Sequence, residues 1–114
     1  MLAKRNRFHG HQSVRRIYKQ GRSQRNSLGS LHAFSDPKHP ETHVAVVVSK
    51  KVAKSAVVRN RIRRRIYEVI RVHLPELSQP AQLVFTVYQA EAATMPAEEL
   101  AALLKDLLKH AKLI

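Results

Sequence analysis

The chain contains no cysteine. That excludes disulfides and thiolate-ligated zinc, and it fits a reducing compartment. Tryptophan is absent and aromatic residues make up only 5% of the sequence, so aliphatic side chains must fill the core. Acids are scarce: eight Asp and Glu stand against 21 Lys and Arg, for a net charge of +13. The carboxylates are scattered, which argues against a pair poised for two-metal hydrolysis. No apolar run reaches the roughly 18 residues of a membrane-spanning helix. The start, MLAKRNRFHGHQ, is basic but lacks the apolar segment of a secretory signal, and it is too short for a transit peptide. A Cys nucleophile, an HExxH pair and a Gly-rich phosphate loop are all missing. Seven His residues remain, spread through loops, strands and helix ends, without the acid–base constellation an autonomous nuclease needs. His9 and His11 lack a carboxylate or Cys partner, so no metal site is expected there.

What the chain has is positive charge, and it sits in two places. Residues 1–35 hold eight Lys or Arg and no acid. Residues 49–71, SKKVAKSAVVRNRIRRRIYEVIR, hold nine Lys or Arg and one acid, Glu68. If the fold brings such segments to one surface, that surface is a nucleic-acid footprint. A membrane-surface helix would instead expose bulky aromatics or Leu on its apolar face, and here the apolar faces are needed for the core.

The second segment reads as a helix from about Ala56 to His73. Val58, Ile62, Ile66, Val69, Ile70 and His73 fall at offsets of 4, 8, 11, 12 and 15 from the first, one stripe of a helix. Asn60, Arg64, Tyr67 and Arg71 lie opposite that stripe on the wheel. Arg59 and Arg63 flank it on one edge, Arg61 and Arg65 on the other. A solvated face normally mixes signs, because i,i+4 Glu–Lys pairs support a helix. Like charges one turn apart, as at Arg61 and Arg65, suit a polyanionic partner, and the guanidinium fork fits phosphate.

The remaining elements follow in order. Residues 1–12 read as a flexible basic arm. Ser13 can cap a short helix carrying Val14, Ile17 and Tyr18, ended by Gly21. A strand is expected from about Ser27 to Phe34, then turn chemistry over Asp36–Pro40. The run Val44–Val48 is continuously apolar, as expected of a strand covered on both faces. Pro75 stops the basic helix. Leu83–Tyr88 is a further strand. A last helix is expected from about Ala97 to Lys112, with Thr94 or Met95 as cap and Leu100, Leu103, Leu104, Leu107, Leu108 and Ala111 as its apolar stripe. At 114 residues the whole chain, 1–114, is expected to form one domain.

The sequence Val48-Ser49-Lys50-Lys51, a short basic linker, and then Arg59-Asn60-Arg61-Ile62-Arg63-Arg64 resembles the signature of the bacterial ribonuclease P protein family. The resemblance extends in length, charge and element order along nearly the whole chain. It implies an α+β fold: a two-layer α/β sandwich with about four strands and three helices, related to the second domain of a small-subunit ribosomal protein. It also implies a left-handed βαβ crossover around the basic helix. The fourth strand is not located by periodicity.

The function implied is that of the protein subunit of ribonuclease P. Such a subunit binds the catalytic RNA and the 5′ leader of precursor tRNA, and assists endonucleolytic removal of the leader. The RNA carries out hydrolysis and holds most of the Mg2+. The partners implied are ribonuclease P RNA and precursor tRNA, with no DNA and no membrane, in the cytoplasm. By this resemblance Lys50, Lys51, Lys54, Arg59, Asn60, Arg61, Arg63 and Arg64 bind RNA. Val14, Tyr18 and His32 line the leader cleft. Tyr18 keeps an aromatic ring suited to stacking, while Val14 stands where the family often has Phe. No catalytic residue or metal ligand is expected in the protein. The alternative reading is a structural RNA-binding protein of the ribosomal type without a role in catalysis.

Overall fold

The computed structural model describes residues 22–34 and 41–114. The expected basic arm, the short helix with Val14 and Tyr18, and the Asp36–Pro40 turn lie outside the described residues. Within them the order is β1 (Arg22–Arg25), β2 (Gly29–Phe34), β3 (His43–Val48), α1 (Ala56–His73), β4 (Gln82–Val87) and α2 (Ala97–His110). Two short 3-10 turns, Leu74–Glu76 and Ala90–Ala93, follow α1 and precede α2. The strands form one mixed sheet in the order β1-β2-β4-β3. β2 is antiparallel to both β1 and β4, while β3 and β4 run parallel. The chain is therefore α+β, with two of the three expected helices among the described residues and the third lying outside them.

The fourth strand is β1, in a stretch that the sequence left unassigned. It pairs with β2 from Arg22↔Ala33 to Arg25↔Ser30. The strand expected from Ser27 begins at Gly29, because Asn26, Ser27 and Leu28 form the hairpin turn. The Asn26 amide builds that turn: Oδ1 accepts the Leu28 and Gly29 N–H groups at 3.0 and 3.3 Å, while Nδ2 donates to the Leu103 carbonyl at 2.9 Å. One side chain thus shapes the hairpin and ties it to α2.

Register divides the sheet into two faces. Leu31, Phe85 and Val46 align in one row, and Ala33, Leu83 and Val44 in the next. This first face packs against Ile62, Ile66 and Ile70 of α1 and Leu100, Leu104, Leu107 and Leu108 of α2, all buried in one cluster. Val58 and Val69 lie at its margin, half-buried. Burying an Ile in a packed cluster of this kind sets a clear expectation: Ile62→Ala should destabilise the fold by roughly 2–4 kcal/mol. Chemical denaturation would measure this, and a loss under about 1 kcal/mol would show that the site collapses freely.

The apolar run Val44–Val48 is not covered on both faces. β3 is an edge strand, and only Val44, Val46 and Val48 are buried, with Ala45 and Val47 half-open on the second face. The α1 boundaries are those expected, with Ser55 as N-cap accepting the Val58 N–H at 3.4 Å. Helix α2 is two residues shorter at its C-terminus than expected, ending at His110. Its N-cap is Pro96, not Thr94 or Met95, and no side chain caps it; Glu98 and Glu99 complement the dipole in the first turn instead. Its end is a Schellman closure: the Leu113 N–H reaches the Leu108 carbonyl at 3.0 Å, and Lys112 takes φ 59°.

Candidate nucleic-acid interface

Helix α1 enters from the Ser49–Ser55 loop. The N–H groups of Val52 and Ala53 donate to the Ser49 carbonyl at 3.1 and 3.2 Å, which curls the loop back on itself. The Arg59 guanidinium then donates through Nη1 to the Ala53 and Lys54 carbonyls, both at 2.8 Å. Arg59 thereby staples the loop to the helix. Lys50, Lys51 and Lys54 stand exposed on it, beside the N-terminal turns of α1.

Along the helix the basic side chains divide by what they touch. Arg61 and Arg64 are exposed and make no ion pair among the described residues. Arg63 is half-buried and donates through Nη2 to the Oδ1 of exposed Asn60. Arg71 is held by Glu68 at 3.2 Å. Arg65 is turned inward: Nη1 donates to the Ala92 carbonyl at 2.7 Å and Nη2 to the Met95 carbonyl. It serves the connection ahead of α2, where those two carbonyls need donors. Tyr67 is also not on the outer side, as its wheel position implied. Its ring packs half-buried at the core margin, and its hydroxyl accepts the Val46 N–H at 3.3 Å. That N–H belongs to the open edge of β3 and would otherwise lack a strand partner.

Lys50, Lys51, Lys54, Arg59, Asn60, Arg61, Arg63 and Arg64 are therefore gathered on one helix and the loop that leads into it. His32 is not with them. It pairs in register with Val84, on the face of the sheet turned away from α1 and α2. Burial, and then the charge of Arg25, push the His32 imidazole below its ordinary pKa. Val14 and Tyr18 lie outside the described residues.

Sequence reasoning missed the inward roles of Arg59, Arg65 and Tyr67. A helical wheel gives the direction of Cβ, whereas a long side chain can turn back by several ångströms to reach a carbonyl. Among the described residues no three His, Asp or Glu side chains converge as metal donors. No helix there is long and apolar enough to cross a membrane.

Comparison with known proteins gives a consistent result. The Ribonuclease P family model matches residues 2–112. The ribonuclease P protein component of Pseudanabaena sp. is 35% identical over 115 residues, spanning 100% of this chain and 97% of that one. The corresponding protein of Clostridium novyi is 34% identical over 113 residues, covering 98% of each chain. Among solved structures, the Staphylococcus aureus ribonuclease P protein superposes with a TM-score of 0.84 at 27% identity, covering 96% of this chain and 98% of that one. The Thermotoga maritima protein, at 19% identity and a TM-score of 0.75 over 85% of this chain, shares the fold.

Proposed function

Because the chain belongs to the ribonuclease P protein family, we propose that its α1 ridge seats it on the catalytic RNA while the second sheet face meets the 5′ leader of precursor tRNA. The chain is a protein component of ribonuclease P, the ribonucleoprotein that cleaves tRNA precursors. The observation that carries the first half of the proposal is the exposed, acid-free pair Arg61 and Arg64, placed beside the Lys50–Lys54 loop. Guanidinium groups left without carboxylate partners are available to phosphates.

The second half rests on the separation of the two surfaces. His32 and the α1 ridge lie on opposite sides of the sheet, so one protein can touch two RNA segments at once. In this reading Val14 and Tyr18 face the leader together with His32. Mg2+, a hard cation that takes oxygen ligands and keeps several waters, is in this reading held mainly by the RNA. The protein's contribution is to offset phosphate repulsion between catalytic RNA and substrate, which reduces the divalent ion needed. The reading treats residues 1–114 as one RNA-binding unit acting in the cytoplasm. It carries with it the left-handed sense of the β3–α1–β4 crossover and the likeness to the second domain of a small-subunit ribosomal protein.

The test of the leader assignment is a comparison of substrates. The assembled enzyme should bind precursor tRNA more tightly than mature tRNA, and His32→Ala should reduce that preference. Equal affinity of the wild-type enzyme for both would remove the leader from the account.

A further inference from the structure

The four strands carry no Asp or Glu. On the second face, register aligns Arg25 with Ser30 and Ser30 with Thr86. Tyr88 lies one alternation beyond Thr86 and continues the ladder, its N–H donating to the Leu28 carbonyl at 2.9 Å. Its hydroxyl donates to the Ser30 Oγ at 3.0 Å. Ser30 is buried, yet Tyr88 is 44% exposed. The other large apolar side chains exposed to that degree among the described residues, Val57 and Val72, are on α1. Tyr88 is thus a ring tethered at its polar tip with an apolar surface left in solvent.

A tethered ring has already lost most of its rotamer freedom, so stacking a flat partner on it costs little further entropy. The surroundings select the partner. Arg25 is exposed and pairs in register with Ser30, and His32 lies two residues along the same face, so basic residues flank the buried Ser30 to which the Tyr88 phenol is bonded. An aromatic platform with an adjacent cation and no acid in the strands fits a nucleotide whose base is free to stack, hence a single strand rather than a duplex.

We propose that Tyr88 and Arg25 form a single-nucleotide subsite on the second sheet face, with the base stacked on the Tyr88 ring and the adjoining phosphate paired to Arg25. This rests on the reading that the second face meets the leader, and it adds residues that the sequence did not single out. Ser30 is a positioning residue, acting by holding the Tyr88 hydroxyl.

The test uses the assembled enzyme and precursor tRNAs in which each leader nucleotide in turn is made abasic, with mature tRNA as the reference. In the wild type, one abasic position should weaken binding by about 5- to 150-fold, the range for loss of one stacked base. Tyr88→Ala should show the same loss with the intact leader and no further response at that position. Tyr88→Phe should restore the response at that position because it keeps the ring, with binding weaker than wild type because the tether to Ser30 is lost. Should Tyr88→Ala fold poorly, Tyr88→Leu keeps an apolar side chain without a π face and should behave as Tyr88→Ala was expected to. A Tyr88→Leu or Tyr88→Ala enzyme with the full wild-type abasic profile, or one that loses equally on mature tRNA, overturns the subsite while leaving the leader reading intact. A wild-type enzyme that does not distinguish precursor from mature tRNA overturns both.

Discussion

Replacing Arg61 and Arg64 together by alanine is expected to weaken binding to the catalytic RNA by about two orders of magnitude at moderate salt, taking roughly 1.5 kcal/mol for each charge-assisted contact. Both side chains are exposed, make no ion pair among the described residues, and stand off the Ile62–Ile66–Ile70 stripe, so the fold should survive. Each phosphate contact releases condensed counterions, and its loss flattens the dependence of affinity on salt. The slope of log K against log salt should therefore fall by about 1.4–1.8 for the double variant. Arg65→Ala supplies the contrast. That side chain is spent on the Ala92 and Met95 carbonyls. Its removal should lower thermal stability by about 1–3 kcal/mol through unsatisfied carbonyls, with the salt slope unchanged. Salt-dependent filter binding of wild type, the double variant and Arg65→Ala would show this, and a slope change in Arg65→Ala equal to half that of the double variant would mean that Arg65 also reaches the RNA.

The largest expected effect on stability is at Gly29. A Cβ built there would stand 1.9 Å from the Thr86 carbonyl oxygen and 3.1 Å from the Val87 Cα. Both are backbone atoms of the neighbouring central strand and cannot rotate away as a side-chain tip could. Gly29↔Val87 is the first pair of the β2–β4 ladder, so relief of the clash must spread β2 from β4 at the hairpin turn. That displacement would disturb the Asn26 bonds that link the turn to α2, and it would move Leu28 and Leu31 in the core. Gly29→Ala should therefore destabilise by about 3 kcal/mol or more, beyond the usual cost of overpacking. Gly29→Ala with a loss below about 1 kcal/mol would show that β2 can shift cheaply.

How far the sequence disclosed this molecule depended on the kind of signal. Helix α1 could be bounded closely because an apolar stripe and a stopping Pro agree, while its Ser55 cap was not singled out. Helix α2 was equally plain from its Leu stripe and starts at Ala97 as expected, though its cap was misassigned because Pro96 occupies that position without a side-chain bond. Strand β1 was invisible: Arg-Ser-Gln-Arg shows no alternation, and only pairing with β2 makes it a strand. The Val44–Val48 run misled because position at the sheet edge, not composition, decides how many faces are covered. For the site, the gathering of Lys50–Lys54 with Arg61 and Arg64 was legible, since all lie within one helix and its entry loop. The tasks of Arg59, Arg65 and Tyr67 were not, because each reaches carbonyl or N–H groups that only the tertiary fold brings near. Tyr88 lay within the expected strand, but its bond to Ser30, across 58 residues of sequence, could not be inferred from spacing.

The central claim is that this protein assists an RNA enzyme through charge and positioning, with the hydrolysis left to RNA. The most direct measurement is cleavage of precursor tRNA by ribonuclease P RNA reconstituted with wild-type, Arg61→Ala or Arg64→Ala protein across a magnesium series. The account predicts that wild-type protein restores 5′ maturation at magnesium concentrations where the RNA alone is inactive. It also predicts that the variants are deficient there and recover as magnesium rises, because divalent ions replace the lost charge. Variant activity that stays near zero at high magnesium, with RNA binding intact, would contradict the claim and place chemistry in the protein.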